Sequence, residues 1–114
     1  MRIAALALAA ALLAGCVTAP PPLYAWGGYE ELIYSSYRKP GSVPPETQIE
    51  QLEHDYQLAR SSGSRVPPGW HLHLGTLYAQ VGKADQAQQE LMTEKAQYPE
   101  SAVFVDRLLA NLNK

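Results

Sequence analysis

Apolar residues recur along most of this chain with a helical rather than a strand period, and breaker residues separate the runs. Tyr29, Leu32, Ile33 and Ser36 share one stripe and predict a short helix over 28–38. Glu30 and Glu31 suit its first turn, Arg38 and Lys39 its last, and Pro40-Gly41 closes it. Ile49, Leu52, Tyr56 and Ala59 predict a second helix over 44–61. Pro44-Pro45 suits its start, while Thr47 with Glu50 offers a capping box as an alternative start. Ser61-Ser62-Gly63 ends it. Leu74, Leu77, Tyr78 and Val81, at i, i+3, i+4 and i+7, predict a third helix. After Gly82-Lys83, a fourth turns Ala84, Ala87, Leu91 and Met92 inward, and Pro99 stops it. Val105, Leu108, Leu109 and Leu112, extended by Ala102 and Phe104, repeat the stripe in a last helix that Ser101 can cap. The expectation is an all-α domain of four or five helices.

The third and fourth helices carry a second regularity. Leu74, Gly75, Tyr78, Gly82, Ala87, Leu91 and Pro99 stand at offsets of one, four, eight, thirteen, seventeen and twenty-five residues from the first. Gly75 has no side chain and admits a partner helix closely, which offsets the roughly 1 kcal/mol that glycine costs inside a helix. Ala87 is small at the crossing. The spacing resembles the tetratricopeptide repeat, a helix–turn–helix unit of about 34 residues. Trp70 stands one position early, and His71 occupies the usual tryptophan slot. The resemblance implies a short helical array with one tetratricopeptide-like helix–turn–helix and a closing C-terminal helix. Such a unit is a scaffold for binding. One unit cannot bury its own face, since about three are normally stacked, so the first two helices or a partner must cover it.

Ahead of the helices the pattern changes. Arg2 and the apolar run 3–13 are too short for a membrane span, which needs about 20 residues, and fit a secretory leader. Leu13-Ala14-Gly15-Cys16 resembles a bacterial lipobox; the alternative is an ordinary leader with a chance cysteine. The resemblance implies cleavage before Cys16 and lipid attachment there. Cys16 is the one cysteine in the chain, so it has no internal disulfide partner, and lipidation would occupy its thiol. Each buried CH₂ adds about 0.8 kcal/mol, so two or three acyl chains anchor a protein stably. Val17 in place of an aspartate favours, by the same resemblance, the outer membrane. Pro20, Pro21 and Pro22 exclude helix and suit an extended spacer, or a linker of no particular role. The expected divisions are a leader at 1–15, lipidated Cys16 and spacer at 16–22, and a helical domain at 23–114.

Composition narrows the function classes. With Arg2 lost, eight basic residues stand against eleven acidic ones, and no Lys/Arg cluster suits nucleic acid. His71 and His73 are two apart, so on a helix they point about 200° apart and cannot share a metal ion. His54 lies elsewhere, and packing is the expected role of His71. Glu46, Glu50, Glu53 and Asp55 read as a solvated helix face. No nucleophile elbow or phosphate loop is present, so neither an enzyme nor a cofactor is expected. Tyr24, Trp26, Tyr29, Tyr34 and Tyr37 crowd into one segment. They either plug the end of a small core with hydroxyls in water, or form a partner surface at Tyr24, Tyr34 and Tyr37. Trp26 is expected in the core.

Across nearly all of the expected mature chain, further segments carry a broader resemblance. They are Leu23-Tyr24-Ala25-Trp26-Gly27-Gly28-Tyr29, Pro67-Pro68-Gly69, Leu74-Gly75-Thr76-Leu77-Tyr78, Glu94-Lys95 and Tyr98-Pro99-Glu100-Ser101. Together they resemble a family of small bacterial lipoproteins classed only as a domain of unknown function. Members tend to be encoded beside a lipoprotein similar to the curli secretion channel and a second small lipoprotein. The resemblance implies an outer-membrane protein facing the periplasm, acting as a helical adaptor among envelope lipoproteins in an assembly or export complex. The alternative is a structural envelope lipoprotein contacting peptidoglycan.

Overall fold

Proline and glycine divide the chain into segments that cannot continue one another, and between them five α-helices form among the described residues. The computed structural model describes Gly15 and residues 19–114; Cys16 and most of the expected leader lie outside them. The helices are α1 (Tyr29–Arg38), α2 (Pro45–Ser61), α3 (Trp70–Gln80), α4 (Ala84–Gln97) and α5 (Ala102–Leu112). A 3₁₀ turn, Pro99–Ser101, joins the last two. The fold is all-α. Its one extended pairing among the described residues is an isolated parallel bridge of Tyr24 with Arg65.

α2 starts on proline, with Pro44 at its N-cap, so Thr47 and Glu50 lie inside the helix and form no capping box there. Three residues, Val81, Gly82 and Lys83, join α3 to α4, too few for anything but antiparallel neighbours. Gly82 takes φ +78°, a left-handed conformation that an L side chain resists. The two helices then close tightly. A Cβ on Gly75 would lie 3.1 Å from Leu91 Cγ and 3.2 Å from the Ala87 carbonyl oxygen.

Leu32 of α1, Ile49, Leu52 and Ala59 of α2, and Trp70, Leu74, Leu77 and Tyr78 of α3 share one buried cluster with Ala87. Trp26 is not in it. Its side chain is 41% exposed, whereas Trp70 is 1% exposed and stacks on Tyr56 at 5.3 Å. The difference follows from position. Trp26 sits in the turn before α1, outside the helical stripe, while Trp70 opens α3 against α2.

The inward side of α4 is Ala87, Leu91 and Glu94, at i, i+4 and i+7. Ala84 and Met92 are exposed instead, Met92 because it lies 100° around the helix from Leu91. On α5 only Val105 is fully buried; Leu108, Leu109 and Leu112 are half-buried and Phe104 is exposed.

None of these helices has a side-chain cap at its own N-cap residue. Ser101 donates its hydroxyl to the Tyr98 carbonyl at 2.7 Å instead of capping α5. Two helix starts are capped from another helix. Asp55 of α2 accepts from the Gly28 N–H at 2.9 Å, ahead of α1. Glu94 of α4, buried to 2% exposure, accepts from the N–H groups of Gly69 at 2.7 Å and Leu72 at 3.3 Å, at the start of α3.

A hydrogen bond to a charged group contributes about 1.5–3 kcal/mol, and a buried donor left unpaired adds to the loss. Glu94→Gln is therefore expected to destabilise the domain by about 2 kcal/mol, read as a lower urea midpoint. Glu100→Gln at an exposed position should stay within about 0.5 kcal/mol of the parent.

Candidate functional site

Leu32 turns into the core, so the residues two and five positions later, Tyr34 and Tyr37, point away from it. Tyr37 is 84% exposed. The Arg38 guanidinium lies 5.4 Å over the Tyr34 ring and donates from Nη1 to the Tyr34 hydroxyl at 3.2 Å. A shallow depression of about 230 Å³ runs beside them, between Glu31, Tyr34 and Ser35 on one side and Arg38, Lys39 and Ser42 on the other. Tyr24, the third residue expected on this surface, packs elsewhere. It meets Tyr98 edge-on at 6.4 Å and Trp26 at 6.3 Å.

A larger cleft of about 490 Å³ opens between α2 and the α3–α4 hairpin. Tyr56, Trp70 and Tyr78 bring aromatic surface to it, and Glu50, Glu53 and Glu90 bring carboxylates. The acids of α2 are only partly a solvated face. Glu53 accepts a hydrogen bond from the Tyr78 hydroxyl, and Asp55 holds the start of α1. Burial first, then the Glu53 hydrogen bond and charge, push the Tyr78 phenol far above its ordinary range, so it remains a donor at any physiological pH.

His71 is buried in the aromatic slot, edge-on to Tyr56 and Trp70, with Nδ1 2.6 Å from Glu90 Oε2. Its Nε2 and the Trp70 Nε1 are buried with no hydrogen-bond partner. His73 points to a different helix, with Nε2 3.1 Å from Gln48 Oε1 on α2. Among the described residues no cluster of three or more His, Cys, Asp or Glu is placed to hold a metal ion.

A third concavity, about 280 Å³, lies between α3 and α5. Gly75, Thr76 and Ala79 form one wall, Leu108 and Leu112 the other, over Leu91. Of the repeat-spaced residues, Leu74, Gly75, Tyr78, Ala87 and Leu91 are buried in the hairpin, Gly82 makes its turn, and Pro99 is exposed in the 3₁₀ turn. Sequence reasoning missed Glu94, the buried Gln48, and Tyr98, whose hydroxyl donates to the Val66 carbonyl at 2.7 Å. A signal for Glu94 existed, because it falls on the Ala87–Leu91 stripe. Cys16, the expected lipid-attachment residue, lies outside the described residues.

A family model described as a domain of unknown function, DUF4810, matches residues 23–108. No curated protein and no solved structure matches the chain.

Burial lowers the pKa of His73 below its ordinary 6.5. The unfolded chain therefore takes up that proton first as pH falls, and the folded state loses stability on acidification below about pH 6.5. Urea midpoints at about pH 7.5 and 5.5 should show this fall, and His73→Gln should make it shallower.

Proposed function

The chain belongs to the family of DUF4810 domains, and on that footing we propose that it is an outer-membrane-anchored lipoprotein. It acts as a helical protein-interaction adaptor in a cell-envelope assembly or export complex, with its domain in the periplasm and no catalytic role. The observation that carries this reading is the placement of large apolar and aromatic side chains in water. Tyr34, Tyr37, Met92, Val103 and Phe104 are all more than half exposed, on α1, α4 and α5. Aromatic residues and methionine are enriched at protein interfaces, and solvent exposure of this kind suits a protein that is completed by a partner.

The tetratricopeptide-like reading of α3 and α4 is supported by the close approach at Gly75 and by the turn at Gly82. In that reading α5 is the helix that closes the array, or stands as the first helix of a following unit. The exposed Val103 and Phe104 leave it an apolar face for a partner to cover. Anchoring rests on Leu13-Ala14-Gly15-Cys16. No helix among the described residues is long and apolar enough to cross a membrane. The partner we propose is a lipoprotein similar to the curli secretion channel.

Pull-down from detergent-solubilised outer membrane tests the reading: the channel-like lipoprotein should be recovered with the wild-type chain. Paired Tyr34→Ala and Tyr37→Ala changes should reduce that recovery about tenfold, the loss of roughly 1.4 kcal/mol expected of an interface anchor. Recovery of sacculus fragments alone would replace the adaptor with a structural, peptidoglycan-contacting role. Cys16→Ser should release the protein from membranes, and continued tight binding would sink the anchor.

A further inference from the structure

The chain enters its helical domain over an apolar ledge. Leu23 is 78% exposed, and Trp26, three residues on, is partly exposed at the turn before α1. Aromatic side chains pack around Trp26 and its neighbour Tyr24. Tyr24 meets Trp26 and Tyr98 edge-on, Trp26 stacks on Tyr29 at 6.3 Å, and the Arg65 guanidinium lies 5.6 Å over the Tyr98 ring. The Ala25 N–H donates to the Arg65 carbonyl at 2.7 Å, which pins the segment to the loop before α3.

Resting on the lipid anchor at Cys16, we infer that Leu23 and Trp26 seat in the headgroup–acyl boundary of a phospholipid bilayer. The spacer limits the reach. Leu23 stands seven positions after Cys16, and an extended chain spans at most about 3.6 Å per residue, so Leu23, where the ledge begins, stays within about 25 Å of the anchored cysteine. That is less than the breadth of a domain this size, roughly 30 Å from its expected radius of gyration. The side chains suit the site. Tryptophan and tyrosine favour the membrane–water interface, and leucine favours the acyl region beneath it.

A lipid suits so small a surface better than a protein does. Two exposed side chains fall far short of the roughly 800 Å² per partner that a stable protein interface buries. They suffice where the tether makes the contact intramolecular, at high effective concentration. The seat is apolar rather than electrostatic, because the exposed acids Glu30 and Glu31 and the exposed Arg65 bring both signs of charge to this part of the chain.

The test uses full-length lipidated protein in vesicles of zwitterionic phosphatidylcholine, with and without bromine on the acyl chains. Trp70, in the core, supplies an unquenched signal, and Trp26→Phe reports it alone. The wild-type emission should be blue-shifted, and bromine should quench the Trp26 component roughly twofold, with no loss at high salt. Trp26→Phe should show no bromine quenching. Protein that carries acyl mass and floats with the vesicles, yet keeps Trp26 unquenched, would overturn the ledge and leave the anchor standing. A blue shift without bromine quenching marks a protein contact and overturns it too. Absence of acyl mass at Cys16 overturns the anchor and the ledge together.

Discussion

The architecture turns on one buried carboxylate. The chain approaches α3 through Pro67, Pro68 and Gly69, two residues without an N–H and one without a side chain, so the helix cannot cap itself. Its first donors would be left unpaired in a buried place. Glu94 reaches them from the far end of α4, and a negative charge at a helix N-terminus also complements the dipole. Because the hairpin is antiparallel, this contact locks the open end, while Gly82 and Lys83 close the other. The helix register follows: with both ends tied, Gly75 must sit against Ala87 and Leu91. The same charge, after burial, raises the pKa of the Tyr29 phenol, which approaches the start of α3.

Asp55 repeats the device on α1, which explains how a short helix with a single buried residue is held in place. The folded unit is thus fastened by acids that cross from one helix to the start of another. These are few, long-range in sequence and energetically concentrated. The hydrophobic stripes bring the helices together, and the acids fix where each one begins.

That division explains what was legible beforehand. Helix existence and type follow from period and punctuation, both local, so all five helices could be read from stripes such as Ile49, Leu52, Tyr56 and Ala59. The α3–α4 hairpin could be read too, because a glycine, a tight turn and an alanine constrain one another at short range. Capping across the fold could not. Glu94 and Asp55 look like surface acids until the tertiary arrangement sets a helix start beside them. Trp26 was expected in the core for the same reason: it is large and apolar like Trp70, and only the packing of α2 on α3 decides which is enclosed. Tyr24 was grouped with Tyr34 and Tyr37 by sequence proximity, yet the turn at Gly27 and Gly28 sends it to a different neighbourhood.

The short bridge between Tyr24 and Arg65 gives the molecule a defined path for mechanical load. Tension on the segment before Leu23 reaches the domain first at the Ala25–Arg65 hydrogen bond. From there it passes to Val66, which is itself held by the Tyr98 hydroxyl, and so to the base of α3. A pull therefore does not peel α1 from its end. It bears on the loop that the tightest part of the core secures, and α1 is drawn in only after that single bond gives way.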